Sequence, residues 1–213
     1  MIHESYYWKN ELYNSFLTIA RFRHSKQITE ELRVETEKAL MIGAYIIRKL
    51  DEARKIPPKL LSNQEKLDWF KSKGTSVDYM NWHNIDKHYN LEKESKIKRN
   101  WRFIVNQIIH SFSLFFSFDG SDKLDGFFVN SDKTKEDGLF FLPIKTLLTI
   151  FLSISEGDLT MTHSQRQIVG KEINGEPKFG EMILTDATYS YLDDFNISSA
   201  ITNSLKGDIY QRK

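Results

Sequence analysis

The sequence predicts a mainly α protein, an up-down helical bundle with a small β-hairpin elaboration in its C-terminal third. Three observations lead there. Apolar residues keep helical spacing through residues 4–24 and again through 29–55. Residues 99–113, RNWRFIVNQIIHSFS, sort onto two faces when wound at about 100° per residue. Near the C-terminus, Asn174–Gly175 separates two strand-like runs, and this dipeptide favours the type I′ turn that matches strand twist.

Each element has its own warrant. In residues 4–24, Trp8, Leu12, Phe16, Ile19 and Ala20 form the apolar stripe, and Arg21, Arg23 and His24 give a basic last turn suited to the helix dipole. Thr29 is placed to cap the next helix, over 29–55. Its seam of Leu32, Thr36, Ala39, Gly43, Ile46, Leu50 and Ala53 is rich in small residues, so a partner helix can come close. Pro57–Pro58 ends it. Residues 62–71 read as a short helix, 79–90 as mixed loop and short helix, and 92–117 as a long helix. DGSDKLDG at 119–126 is turn-rich and is flanked by a hairpin or by one frayed helix end and one strand. Pro143 opens an apolar helix to residue 155, as proline can at a first turn. Runs 167–173 and 178–184 form the hairpin, and 198–205 a short helix closed by Lys206–Gly207. The expected organisation is a bundle over 1–157, with a short β/turn insertion near 114–138, followed by an extension over 158–213.

Composition narrows the chemistry. The 213 residues carry a net charge of +1 and no cysteine. Thiolate nucleophiles, disulfides and cysteine-based metal sites are therefore excluded. Bulk charge argues for neither nucleic acid nor membrane, so a basic patch has to be local. The polar, aromatic start is unlike a signal peptide, and the most apolar run is too short to span a bilayer, so a cytoplasmic protein without membrane contact is expected. Gly-rich phosphate loops, Gly-x-Ser-x-Gly elbows and His-Glu-x-x-His motifs are absent.

Chemistry concentrates in one stripe. On a helix, Arg102, Asn106 and His110, with Arg99 and Ser113, share one face within an arc of roughly 80°. A guanidinium, an amide and an imidazole together can bind a phosphate, orient it and move a proton. The plainer reading is the solvated side of an amphipathic helix. Two basic clusters, Arg48 and Lys49 with Arg54 and Lys55, and Lys98 and Arg99 with Lys96 and Arg102, would form one phosphate-binding strip if their helices lie side by side. Asp51, Glu52, Glu92 and Glu94 are interspersed and dilute its field. His83 and His88 are spaced too far apart around a helix to converge on a metal, and Asp119, Asp122 and Asp125 fit a polar turn better than a calcium loop. No metal and no cofactor are expected.

A close-packed helical pair with the seam KALMIGAYIIRKL, followed by a helix ending NQIIHS, resembles the HEPN superfamily over roughly residues 4–117. That resemblance implies a small helical bundle, often a metal-independent endoribonuclease of toxin–antitoxin or phage-defence systems, that dimerises through the bundle so that two motifs share a cleft. Asn106 and His110 match its motif, but Val105 stands where the family has arginine. Arg102, one turn earlier, is the conjectured substitute. The resulting expectation is RNA cleavage to 2′,3′-cyclic phosphate ends by Arg102, Asn106 and His110, with Lys98, Arg99, Arg48 and Lys49 binding RNA and a homodimer or a second protein as partner. The alternative is a non-catalytic interaction or scaffold subunit of a defence or toxin–antitoxin complex.

Overall fold

A computed structural model describes residues 2–212. It begins with two antiparallel helices, α1 (Ser5–Arg23) and α2 (Glu30–Glu52), where the apolar spacing places them. Thr29 accepts the Leu32 backbone N–H and caps α2. A 3-10 turn, Leu60–Ser62, leads into β1 (Gln64–Ser72). A long loop and a single turn, α3 (Ile85–His88), precede β2 (Tyr89–Asn100). Helix α4 (Trp101–Ile109) follows directly, then β3 (Ser111–Phe118), β4 (Leu124–Ser131) and β5 (Gly138–Pro143). Helix α5 (Ile144–Glu156), the long hairpin β6 (Asp158–Lys171) and β7 (Pro177–Ser190), and α6 (Ile197–Lys206) complete the chain.

Five strands form one antiparallel sheet in the order β2-β1-β5-β4-β3, and β6 and β7 form a separate two-stranded ribbon. The fold is therefore mixed α/β. This corrects the expected mainly α helical bundle, and the HEPN resemblance falls with it, because a five-stranded sheet occupies the chain where that bundle needs helices. The error has a local cause. Residues 62–71 and 92–117 supply three of the five strands, with only nine helical residues between β2 and β3. The run SFSLFFSF at Ser111–Phe118 puts phenylalanines at helical as well as alternate spacing. Its aromatic, serine-rich character and its pairing with β4 settle it as strand.

The inner strands are covered on both faces, which removes the clean alternation that marks a half-buried strand, while the edge strand β2 is exposed through residues 92–96. Leu67, Phe127, Val129, Phe140 and Leu142 join the core beneath α1, α2, α4 and α5. Phe70, Leu139, Tyr89 and Val77 form a second cluster, packed by Trp82, Phe112, Phe128 and Phe141. The small-residue seam of α2 does receive a close neighbour: the Phe151 ring of α5 lies where a side chain on Gly43 would project. Lys9 is only 4 % exposed; its ammonium bonds the Gly157 carbonyl at 2.6 Å and Asp158 at 2.5 Å, fixing the base of the ribbon to α1. Tyr189 reaches from β7 to the Ile154 carbonyl at 2.7 Å. Among the described residues, no helix is long and apolar enough to cross a membrane.

Candidate functional site: a basic strip between two helices

The two basic clusters meet only through Arg48 and Arg102, while Lys49 and Arg54 line another cleft, Lys55 bonds the His3 carbonyl and Lys96 pairs with Asp68. Helix α4 packs along α2, and Arg48 Nη1 lies 3.0 Å from His110 Nε2, although 62 positions separate them in the chain. A guanidinium has only donors, so Nε2 accepts and the imidazole hydrogen resides on Nδ1. His110 is the exposed C-cap residue of α4, and its backbone N–H bonds the Asn106 carbonyl at 3.0 Å. Asn106 lies one turn earlier, half-buried, and its side-chain amide makes no hydrogen bond among the described residues.

Arg102 is on the same face, already engaged. It forms a forked pair with Asp51 of α2, with Nη1 on one carboxylate oxygen and Nη2 3.1 Å from the other. Glu52 binds Arg48 at 3.0 Å and Lys49 at 2.7 Å. The hydrogen bonds from Lys49 and then Arg48 hold the Glu52 carboxyl below the usual carboxylate range, and its hydrogen bond raises the Lys49 ammonium. Asp51 and Glu52 thus engage Arg102, Arg48 and Lys49, and leave Lys98 and Arg99 without an ion pair among the described residues.

Lys98 and Arg99 are the cations left without a carboxylate. They line a groove of about 520 Å³ with Gln64, Asn100, Arg102, Phe103 and Asn106. A second hollow, with Arg48, Asp51 and Glu52, shares Arg102 and Asn106 with it, so the two run together. Arg99 stacks over the Phe103 and Phe140 rings at 4.9 and 5.8 Å, which fixes its guanidinium plane. Lys98 stands directly opposite Lys66 across the β1–β2 pair, and neither forms an ion pair among the described residues. Like charges placed face to face repel, and a bound anion would relieve that.

Some sequence expectations separate here. Arg99 belongs to β2 rather than to the helix, and Ser113 is a buried residue of β3 whose hydroxyl has no partner among the described residues. Lys49 faces the far side of α2, joined to the strip only through Glu52. His88 is buried between Thr75, at 2.7 Å, and the Asn81 carbonyl, at 3.0 Å. Asp119 accepts the Ser121 and Lys123 backbone N–H groups, as a polar turn does. Among the described residues, no group of three or more His, Cys, Asp or Glu is placed to hold a metal ion. The Lys66–Lys98 opposition was missed because strand pairing across 32 positions has no signature in the linear chain.

Compared with protein-family models, curated proteins and solved structures, the chain matches none of them.

Proposed function

We propose that the face shared by α2, α4 and the end of β2 binds single-stranded RNA through its phosphates, and that His110 moves the proton in cleaving the chain there. The observation that carries this reading is the Arg48–His110 contact, with Arg48 lining a hollow that shares Arg102 and Asn106 with the groove of Lys98 and Arg99. Lys98 and Arg99 seat one phosphate of the chain, and the neighbouring phosphate, in the hollow of Arg48, Arg102 and Asn106, draws Arg48 away from the imidazole and accepts from the Asn106 amide. His110 Nε2, released from Arg48, takes the proton of the 2′-hydroxyl. The 2′-oxygen attacks phosphorus, the bond to the 5′-oxygen breaks, and that oxygen takes a proton from water. The products are a 2′,3′-cyclic phosphate and a 5′-hydroxyl. Arg102, held by Asp51, acts as a positioning residue that ties α4 to α2. The proton-transfer step is worth roughly 100-fold or more in rate.

The test is cleavage and binding of labelled RNA in EDTA by wild type, His110→Ala and the Lys98→Ala/Arg99→Ala pair. His110→Ala is expected to bind normally and lose cleavage, and the paired variant to lose both. Equal cleavage by wild type and His110→Ala overturns the catalytic role. RNA affinity untouched by the paired substitution overturns the interface. The exposed β6–β7 ribbon supports an interaction role beside this one.

A further inference from the structure

The face of the five-stranded sheet turned away from the helices carries a line of aromatic rings. The strand registers set Asp68, Phe141, Phe128 and Phe115 side by side across β1, β5, β4 and β3. The next row on that face runs from Lys98 and Lys66 through Pro143 and Gly126 to Ser117. Around Phe70, Tyr89 and Leu139 the same face is covered by the 73–88 loop, through Val77. Beyond that cover, Phe141, Phe128 and Phe115 stay partly exposed. The Phe128 and Phe141 rings are 5.2 Å apart, and Trp82, also partly exposed, stacks on Phe115 at 5.1 Å and 28°. The Phe141 ring leans over Gly126, where a Cβ would come within 2.8 Å of it. Glycine there lets the ring lie down against the sheet.

Two observations select a nucleic-acid strand as the partner of this face. The charge beside the rings is of one sign. Asp68 is taken by Lys96, whereas the exposed Lys66 and Lys98 form no ion pair among the described residues. The face is also continuous with the basic strip, because Lys98 lines the groove of Arg99, Arg102 and Asn106 as well. Lys66 and Phe141 are diagonal neighbours on adjoining strands, about 7–8 Å apart, within the reach of one nucleotide. We propose that this face is the base-stacking half of the RNA site. Lys66 and Lys98 hold phosphates, and unpaired bases stack on Phe141 and Phe128, with Trp82 and Phe115 at the far end. The proposal rests on the phosphate-binding reading of the strip and adds that the ligand must have free bases, since bases inside a duplex offer no ring face. Stacking accepts every base, so the face selects single strands rather than a sequence.

The test titrates a labelled oligouridylate and an abasic oligoribonucleotide of the same length against wild type, Lys66→Ala and Phe141→Leu/Phe128→Leu. Leucine keeps the apolar cover and removes the rings, and thermal melting checks that the fold holds. Wild type is expected to prefer the oligouridylate about tenfold or more. The leucine pair loses that preference and keeps its affinity for the abasic strand. Lys66→Ala weakens both ligands and flattens the slope of log affinity against log salt by about 0.7. Ultraviolet cross-linking of wild type to the oligouridylate places adducts on Phe141, Phe128 or Trp82. Equal wild-type affinity for the two ligands overturns the stacking face while leaving the phosphate strip standing. Binding of neither ligand overturns the strip and this proposal with it. Adducts confined to other residues overturn the stacking face, as does a leucine pair that binds RNA like wild type but changes the protein's oligomeric mass, which assigns the rings to a protein contact.

Discussion

Two antiparallel hydrogen-bonded pairs in this molecule are held by different forces. In the five-stranded sheet, β4 carries Phe127 and Val129 against α1 and α5 on one face and Phe128 against Phe70 and Phe141 on the other. In the ribbon, β6 and β7 make a longer ladder than any pair in that sheet, yet most of their side chains meet solvent. The difference teaches that strand hydrogen bonds, each contributing about 1 kcal/mol net, set the ribbon's shape, while apolar burial sets the stability of the body.

The comparison breaks most visibly in the core. Phe151→Ala in α5 empties the space over Gly43 and is expected to cost about 3–5 kcal/mol, read as a lowered denaturant midpoint. Alkaline titration comes next. Burial pushes the Tyr89 phenol up to about 12. Between pH 10 and 12 the unfolded chain therefore gives up that proton while the folded chain keeps it, and stability that is full below pH 10 falls as pH rises by roughly 2–3 kcal/mol. Tyr89→Phe flattens this slope, although at neutral pH it leaves the Asn130 amide without its 2.7 Å acceptor.

Smaller effects sharpen the ribbon side. Lys9→Met strips the Gly157 carbonyl of its buried donor and is expected to cost about 1–3 kcal/mol. Its diagnostic is limited proteolysis, with cuts appearing first in β6 and β7 while the five-stranded sheet stays protected. Ile168→Ser, on an exposed ribbon position, changes monomer stability by about 0.5 kcal/mol or less. A loss near that of Phe151→Ala would show that the ribbon is packed in the monomer.

α1, α2 and α6 were legible from apolar spacing and local end signals, and α5 from its apolar run after Pro143, whereas the helix expected over 92–117 shrinks to Trp101–Ile109. Thr29 caps α2, and Gly207, at φ +114°, closes α6 after Lys206. A turn at Asn174–Gly175 was legible, but it is not type I′: only Gly175, at φ +84°, is left-handed, and the turn closes over residues 172–175; the ribbon also runs far beyond the two short strands it announced. β1 and β2 were not legible as strands, and β3 was legible only from residue 114 on, as one arm of the hairpin offered as an alternative around 119–126. β1 lies between β2 and β5, and the charged edge strand β2, exposed through residues 92–96, is set by its pairing with β1; that information is non-local. The polar stripe survived in its centre: Arg102 and Asn106 share α4 and His110 caps it, while Arg99 and Ser113 passed into strands. Arg48 was named as a phosphate ligand, but its contact with His110 depends on the crossing of α2 and α4. The forked bond from Arg102 to Asp51 depends on the same crossing, and it is why Lys98 and Arg99 carry the free charge.

The most direct test of the basic strip is the salt dependence of single-stranded RNA binding by wild type and by Lys98→Ala/Arg99→Ala. Two lost phosphate contacts are expected to reduce the slope of log affinity against log salt by about 1.4. Parallel slopes for the two proteins would contradict an interface built on those side chains.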